Sequence, residues 1–369
     1  MMQEIKTKNS IGRIIGKTVG RFFAMLLTVV AAIAATLLLS LNMICSSAFP
    51  SAQQMFVTTI LETGQLKFLA SWFLDADEIQ AIVDQNSMKE LNAEVDANLI
   101  QIGGNSGSIS VGSSEQSPEA APQQDIEIVE VAGSTYTGTM MIVKDPSRVS
   151  LATIYPWRDV GVTLDKLVTS NGAIAGINGG LYDSSNNTGG KPYGVIVSNG
   201  EIQFNEPHKW PGLVLIGFDE NHILQIIDIA GMKAAEVETL IREKKIRDAV
   251  TFQEEASDAN NHFVQLIINN QAREMHGSGS GLNPRTAIGQ RADGSVLLFV
   301  TDGRGKSGHL GASSGDLIQV MQQFGAVNAA NLDGGSSSCM YYDGEYLMTS
   351  VTFYYSNSSW KLPAGFIVK

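Results

Sequence analysis

An uncharged, mostly apolar run from Phe22 to Leu41 follows a short basic segment at the N-terminus. At about 1.5 Å per residue, a helix over this run is long enough to cross a bilayer. A cleaved signal peptide and a lipid anchor on Cys45 are the alternatives, but the apolar part of a signal peptide spans only about 7 to 15 residues. The preceding cations favour a cytoplasmic N-terminus. The sequence therefore predicts a cytoplasmic tail (1–21) and an uncleaved single-pass membrane anchor (22–45), with the remaining chain outside the cytoplasm.

Charge is divided unevenly along the chain. Residues 1–45 carry five cations and one acid, whereas the remainder carries 20 basic and 36 acidic residues, a formal charge of −16. The phosphate backbone of DNA or RNA repels such an acidic module, so we expect no nucleic-acid partner. Two cysteines, Cys45 and Cys339, are too few for a disulfide framework.

Composition changes twice after the anchor. Apolar residues at roughly helical spacing and an Asp75-x-x-Glu78 capping pattern predict a juxtamembrane helical stalk over 46–102. This stalk can lie on the membrane, pack on the following domain or self-associate. Gly, Ser, Pro, Gln and Ala then dominate 103–124, which is typical of a flexible linker. Globular patterning begins at Asp125, which predicts a folded domain over 125–369.

Short strands dominate the predicted secondary structure of this domain. Asn199-Gly200, Asp293-Gly294 and Asp343-Gly344 each separate two apolar segments, which is a strong hairpin signal. Two or three helices join the strands, among them one predicted over 234–245. The pattern predicts an α+β fold, with a mixed, mostly antiparallel sheet and a few packed helices.

Four glycine-containing segments place polar side chains at or beside predicted strand ends, where loops carry chemistry on a rigid scaffold. Glycine permits the tight turns and the close backbone approach that a ligand at such a loop requires. Hydroxyl and backbone N–H groups in the same loops can bind an anion or a sugar. The four segments are Ile177–Asp183, Pro284–Gly289, Val300–Arg304 and Asn331–Ser338.

Taken in order, the motifs in these segments resemble those of the phosphodiester glycosidase family. The resemblance covers roughly 125–369 and implies a hydrolase that cleaves a sugar-1-phosphate diester at the anomeric carbon of the sugar. A membrane-anchored layout is also similar to the bacterial branch of that family. The motifs that carry the resemblance are Asn178-Gly-Gly, Pro284-Arg-Thr-Ala-Ile-Gly, Asp302-Gly-Arg and Asn331-Leu-Asp-Gly-Gly-Ser.

The residue types in these motifs suit such a reaction. Arg285 and Arg304 can each hold a phosphate through two parallel hydrogen bonds, and a loop salt bridge is the alternative role for both. Glycoside cleavage commonly uses two carboxylates, and Asp302 and Asp333 both end predicted strands beside glycine. We expect these two catalytic carboxylates to share one pocket within about 10 Å, one as base or nucleophile and the other orienting it. A turn aspartate that caps its own backbone is the alternative for either.

The predicted substrate-binding residues surround the same motifs. Asn178 would bind a sugar hydroxyl or acetamido group, and Lys191 would add a third cation. The histidines lie outside the motifs, and His276 and His309 are in Gly/Ser-rich loops near Arg285 and Arg304. A loop histidine is the favoured interpretation for both, and the alternative is that the fold brings one of them to the site. The full predicted set is Asn178, Gly179, Gly180, Tyr182, Lys191, Arg285, Thr286, Arg304, Gly334, Gly335, Ser336 and Ser337.

No cofactor is predicted, because the sequence has neither zinc-ligand spacing nor a phosphate-binding-loop lysine pattern. A Ca²⁺ ion shared by Asp302 and Asp333 is the weaker alternative. The predicted substrate is a sugar phosphate in a cell-wall polymer or exopolysaccharide. Two other functions stay open: a phosphodiesterase that cleaves the P–O bond on the same scaffold, and a non-catalytic glycan-binding protein of polysaccharide assembly.

Overall fold

The computed structural model describes residues 2–46, 48–63, 66–91, 93–103, 125–257, 259–351 and 357–369. The chain divides into two compact units, Met1–Phe56 and Val57–Lys369. The predicted linker falls outside the described residues except for Gly103, so the linker and the domain boundaries stay predictions. The α-helices are α1 (Met2–Ile44), α2 (Pro50–Leu61), α3 (Phe68–Ser71), α4 (Ala76–Gln85), α5 (Leu164–Ser170), α6 (Ala234–Glu243) and α7 (Ser314–Gln323).

The first unit consists of helix α1 and the beginning of α2. Within α1, Gly16–Ile44 is long and apolar enough to cross a membrane, judged by length and composition alone. Large apolar side chains along it, such as Phe22 and Leu39, are exposed. After the helix, the side-chain amide of Gln53 donates a hydrogen bond to the carbonyl of Cys45 over 2.8 Å. A helix of sufficient length and apolar composition is therefore present, while its insertion in a membrane and its orientation stay predictions.

Strands make up most of the second unit. Their bounds are β1 (Ile126–Ala132), β2 (Thr137–Val143), β3 (Val149–Thr153), β4 (Ala175–Asn178), β5 (Val195–Ser198), β6 (Glu201–Asn205), β7 (Leu213–Asp219), β8 (Leu224–Asp228), β9 (Ile246–Gln253), β10 (Glu255–Ala256), β11 (Asn261–His262), β12 (Gln265–Ile268), β13 (Gln271–Ala272), β14 (Thr286–Arg291), β15 (Val296–Thr301), β16 (Ala326–Asn331), β17 (Met340–Tyr342), β18 (Glu345–Met348) and β19 (Ala364–Val368).

These strands form three larger sheets and one short ribbon. The seven-stranded sheet has the order β1-β2-β15-β14-β16-β12-β13, and the five-stranded sheets have the orders β18-β17-β4-β19-β3 and β6-β5-β9-β7-β8. The ribbon pairs β10 with β11. Pairing between the described strands is antiparallel throughout. The structure therefore confirms the predicted α+β fold and its antiparallel character.

The main hydrophobic core is shared by the three larger sheets, and a second cluster lies under α7. Strand β14 faces both of them, because Ile288 packs in the main core with Leu298, whereas Ala287 packs in the second cluster with Leu317 and Met321. Alternation of this kind follows from the two-residue period of a strand. Full burial of each large apolar side chain stabilises the fold by about 1.5–3 kcal/mol.

Strands β14, β15 and β16 bring three of the four predicted motifs to one edge of the seven-stranded sheet. Ala287, near the start of β14, lies opposite both Phe299 and Asn331, near the ends of its two neighbours. Adjacent strands are about 4.8 Å apart, so the ends of β15 and β16, which Asp302 and Asp333 follow, are roughly 10 Å apart across β14. The separation of the two carboxylates themselves stays a prediction.

Residues from Val57 to Gly103 pack within the second unit. The Asp75 carboxylate accepts a hydrogen bond from the Glu78 N–H, and the Glu78 carboxylate accepts one from the Asp75 N–H, both over 2.9 Å. The predicted capping box at the start of α4 is therefore formed. Met88 and Ile100 are buried. Of the three arrangements open to the predicted stalk, packing on the domain is the one these residues adopt.

Candidate active site

The side-chain amide of Asn178, at the end of β4, connects three of the predicted motifs. Its Nδ2 donates to the carbonyl oxygen of Asp333 over 2.6 Å, and its Oδ1 accepts from the Thr286 hydroxyl over 2.8 Å and from the Cys339 N–H over 3.2 Å. Asn178 is only 1% exposed. Breaking these bonds would leave buried polar groups unpaired, which is costly. Asn178 and Thr286 therefore hold the Asp333 turn in place.

The Asp333 carboxyl group lies at that turn and is partly buried. Burial raises its pKa from an ordinary 3.8 to about 7, although hydrogen bonds from Ser337 and the Gly334 N–H and the charge of Arg304 act to lower it. The Tyr182 hydroxyl lies 2.9 Å from Ser337 Oγ, and burial, reinforced by the Asp333 charge, raises the pKa of Tyr182 well above its usual range. A carboxyl group that titrates near neutral pH can accept and release a proton there.

The guanidinium group of Arg304 lies over the turn that follows Asp333. Its Nη1 donates to Ser336 Oγ over 2.9 Å, and its Nε donates to Asn283 Oδ1 over 3.3 Å. Gly335 has a positive φ of 61°, and a β-carbon there would lie 2.6 Å from Nη2 of Arg304. Glycine at 335 thus permits both the turn and the close approach of the cation. Because Arg304 is exposed, its fork is available to an incoming anion.

Arg285 has a different environment, although its motif is equally polar. The side chain is 4% exposed, and Nη2 forms an ion pair with Glu62 over 2.5 Å. Nε donates to the carbonyl of Ala312 over 2.9 Å, and Nη2 donates to the carbonyl of Gly281 over 2.6 Å. These contacts are the loop salt bridge that the sequence left as the alternative. The geometry does not support a phosphate contact from Arg285, since the donors described here point into the protein.

Asp302 is paired with a histidine that the sequence motifs do not contain. Its Oδ1 accepts the Thr137 N–H over 2.8 Å, and its Oδ2 lies 2.7 Å from Nδ1 of His309. Asp302 is buried, whereas His309 keeps 30% of its side chain exposed. A carboxylate on Nδ1 fixes the tautomer and the direction of the ring and leaves Nε2 for proton transfer. The only sequence signal was the position of His309 in the loop that begins at Asp302.

Of the remaining predicted residues, the glycines make backbone contacts near the site. The Gly179 carbonyl accepts a hydrogen bond from the Asp333 N–H over 3.3 Å, and the Gly335 N–H donates one to the carbonyl of Pro284 over 2.8 Å. Gly180 packs directly against a backbone carbonyl of β9. These glycines hold neighbouring chain segments together.

Lys191 lies on an exposed surface outside this arrangement. Its Nζ is 3.1 Å from Oδ1 of Asp159, and both side chains are exposed. Together with Asp183 and Thr188, the pair lines a cavity of about 210 Å³. The contacts described for Lys191 therefore place it with Asp159 and not with Arg304.

In the part of the chain that the structure describes, no three His, Cys, Asp or Glu side chains are grouped to hold a metal ion. The contacts recorded for Asp302 and Asp333 are to protein groups. The expectation of no cofactor and the Ca²⁺ alternative both stay predictions.

Comparison with known proteins gives one family and several distant similarities. A family model described as phosphodiester glycosidase matches residues 171–369, which is more than half of the chain. A 65-residue segment is 38% identical to the SPbeta prophage-derived uncharacterized protein YomE of Bacillus subtilis (strain 168). That segment is 18% of this chain and 10% of YomE, so the chain spans about a tenth of the length of the curated relative it matches.

Two solved structures are similar at low identity. One is the zebrafish N-acetylglucosamine-1-phosphodiester alpha-N-acetylglucosaminidase catalytic domain, auto-inhibited by its pro-peptide, with a TM-score of 0.49 and 17% identity over 66% of this chain and 81% of that one. The other is a Burkholderia pseudomallei K96243 protein described as exported, with a TM-score of 0.39 and 15% identity over 63% and 74%. The family match, which includes all four motifs, is what decides the assignment. The chain belongs to the phosphodiester glycosidase family.

Proposed function

We propose that this protein is a membrane-anchored hydrolase that cleaves a sugar-1-phosphate diester at the anomeric carbon of the sugar. The observation that carries the proposal is the proximity of a partly buried Asp333, whose pKa burial raises to about 7, to the exposed cation Arg304, which lies over the turn that follows Asp333. In this proposal Asp333 accepts a proton or attacks the anomeric carbon of the sugar, and Arg304 binds the phosphate.

The two groups divide the work of breaking the glycosidic bond. Arg304 neutralises the negative charge of the departing phosphate, and its planar fork suits two phosphate oxygens. A phosphate is a weakly basic leaving group, so this neutralisation replaces much of the protonation that an ordinary glycoside needs. Asp333 acts as base towards the attacking water or as nucleophile towards the anomeric carbon. Ser337, held by Tyr182 over 2.9 Å, fixes the direction of the Asp333 carboxylate.

The Asp302–His309 pair is the second proton carrier in this proposal. Asp302 orients the imidazole through the 2.7 Å contact to Nδ1. The Nε2 atom of His309 then protonates the phosphate oxygen or takes the proton of the water, and Asp302 does not itself meet the substrate.

The spanning helix and the charge of the module indicate where the reaction takes place. Five cations precede the apolar helix, which favours a cytoplasmic N-terminus and a catalytic unit outside the cytoplasm. A sugar joined through its 1-phosphate to a wall polymer or exopolysaccharide is the substrate class available there. The net negative charge of the unit requires local cations for such an anionic substrate, and Arg304 supplies one.

Turnover in water labelled with heavy oxygen tests the proposal. The probes are the methyl diesters of glucose, galactose and N-acetylglucosamine 1-phosphate. Label in the anomeric hydroxyl of the released sugar means cleavage of the C–O bond, which the proposal requires. Label in the phosphate would instead identify a phosphodiesterase, and saturable binding without turnover would identify a glycan-binding protein. The Asp333→Asn variant is the matched control for residual or contaminating activity.

A further inference from the structure

A buried carboxylate reaches the candidate site from a segment far outside the matched family domain. Glu62 follows the end of α2, more than 100 residues before residue 171, where the family match begins. Its side chain is 2% exposed and forms the ion pair with Nη2 of Arg285. Its Oε1 also accepts the Gly281 N–H over 2.7 Å. Burial raises the pKa of Glu62 to about 7, while the charge of Arg285 and hydrogen bonds from Gly281, Arg285 and Asn283 act to lower it. The ionised carboxylate is therefore maintained here by its ion pair and hydrogen bonds.

The same segment is fitted against the loop that precedes Arg285. The Leu282 N–H donates to Thr59 Oγ1 over 3.0 Å. Gly281 has no space for a β-carbon, because the backbone of Thr58 and Thr59 occupies that position. The last turn of α2 and the 281–283 loop therefore touch backbone to backbone.

The side chain of Asn283 connects Glu62 to Arg304 through hydrogen bonds. Its Nδ2 donates to Glu62 Oε2 over 3.4 Å, and its Oδ1 accepts Nε of Arg304 over 3.3 Å. Nδ2 also donates to the Thr59 carbonyl over 3.4 Å. A single amide side chain thus joins the end of α2, including the buried carboxylate, to the exposed cation, and all three partners fix its orientation. Without the carboxylate, Arg285 would remain a buried cation close to Arg304, and the two guanidinium groups repel each other.

We propose that Glu62 is a positioning residue for Arg304: by binding Arg285 and Asn283, it holds the guanidinium over the Gly335–Ser336 turn where the phosphate is received. The proposal rests on the proposed function for the role of Arg304. It also means that the family domain obtains part of its site from the membrane-proximal segment of the same chain. A fragment that begins after the predicted linker lacks that part.

A double-mutant cycle on the full chain separates positioning from simple stabilisation. Glu62→Gln keeps the size and one hydrogen-bond acceptor but removes the charge. In the wild-type background it should lower kcat by about ten- to hundred-fold, the size expected for a displaced catalytic cation. In an Arg304→Ala background it should lower kcat by less than about three-fold, since the residue that it positions is gone. The loss of melting temperature should be the same in both backgrounds.

Equal kcat losses in the two backgrounds would overturn the proposal and leave Glu62 a stabilising residue only. Asn283→Ala is the second variant, because it removes the connection and leaves the ion pair between Glu62 and Arg285 intact; it should show the same dependence on Arg304. Asp77→Asn, an exposed acid on α4, is the matched control for loss of one negative charge and should leave kcat within about two-fold.

If the wild type does not hydrolyse the diesters, binding of inorganic phosphate tests the positioning role of Glu62. In that case the proposed function fails, and phosphate binding by isothermal titration calorimetry takes the place of kcat in the same cycle. Glu62→Gln should weaken phosphate binding about ten-fold with Arg304 present and leave it unchanged in the Arg304→Ala background. Unchanged phosphate binding in Glu62→Gln with Arg304 present would overturn the positioning role independently of the reaction.

Discussion

Arg304 donates a hydrogen bond from Nη1 to the hydroxyl of Ser336 over 2.9 Å, and this contact joins two loops that lie 32 residues apart in the chain. The guanidinium reaches Ser336 by passing over Gly335, where an added β-carbon would lie only 2.6 Å from Nη2. The position of the Arg304 guanidinium therefore depends on residue 335 having no β-carbon.

Gly335→Ala should move Arg304 and reduce kcat by about ten- to hundred-fold, because a β-carbon 2.6 Å from Nη2 forces the guanidinium away. Alanine at a φ of 61° also costs about 1 kcal/mol of stability. Gly172→Ala is the matched control, since Gly172 has a φ of 63° and nothing within 4 Å of the added carbon. Equal kcat in both variants would show that the position of Arg304 does not depend on Gly335.

The two arginines should separate activity from stability. Arg304→Ala should weaken transition-state stabilisation by about 2–4 kcal/mol with little change in melting temperature, because the cation is exposed and meets charge that develops in the reaction. Arg304→Lys should recover only part of that loss.

Arg285→Ala should instead lower the free energy of unfolding by about 3–5 kcal/mol, since it leaves Glu62 buried without its ion-pair partner. Denaturant titration and steady-state kinetics on the same samples provide both readouts. A stable Arg285→Ala variant with a purely kinetic defect would return Arg285 to the phosphate site.

The different environments of these arginines could not be predicted from the sequence. Arg285 and Arg304 both lie in polar, glycine-containing motifs, so the local sequence pattern does not distinguish a buried arginine from an exposed one. The distinction arises from Glu62, which is distant in sequence and becomes a neighbour only when the end of α2 packs against the 281–283 loop. The pairing of His309 with Asp302 could not be predicted for a similar reason, because it depends on how an irregular loop folds back.

More of the fold than of the candidate site could be predicted from the sequence. Hairpins such as β5–β6 and β17–β18 form where Asn199-Gly200 and Asp343-Gly344 predict them, since Asn199 and Asp343 adopt the positive φ that such turns require. The order of strands within a sheet depends on pairings between distant segments, for example β2 with β15. Local periodicity carries no information about those partners.

Asp333 should give the enzyme a pH dependence near neutrality. If its carboxylate is the base or nucleophile, kcat should rise with pH through about 7, the pKa to which burial raises this group. Asp333→Asn should abolish turnover while the fold is retained. A pH profile that falls through the same region would make the protonated carboxyl the active form and reverse the assigned role.

The same raised pKa makes a prediction about stability. Because the folded pKa of Asp333 lies above its ordinary value of 3.8, the group favours the folded state fully below about pH 4 and loses that contribution as pH rises through about 7. Asp333→Asn should therefore be more stable than the wild type at pH 8, by on the order of 1–3 kcal/mol, and this advantage should disappear near pH 4. Urea titrations at the two pH values measure the difference, and an advantage that is equal at both would contradict it.

Asp302 and His309 should behave as one unit. Asp302→Asn and His309→Gln should each reduce kcat, to a similar or smaller degree than Asp333→Asn, because each removes the oriented imidazole. The double variant should be scarcely worse than the poorer single variant, since residues that act together are not additive. Multiplicative losses in steady-state kinetics would show that the two residues contribute independently.

A crystal structure of full-length Asp333→Asn with a bound sugar-1-phosphate methyl diester tests the central claim most directly. We expect the phosphate on the Arg304 guanidinium, within about 3 Å of its N–H groups, and the anomeric carbon facing the carboxamide at position 333. The Asn283 amide should still join Glu62 to Arg304 in that complex. A phosphate bound elsewhere, for example at Lys191 and Asp159, with nothing at the Gly335–Ser336 turn, would show that Arg304 does not receive the phosphate.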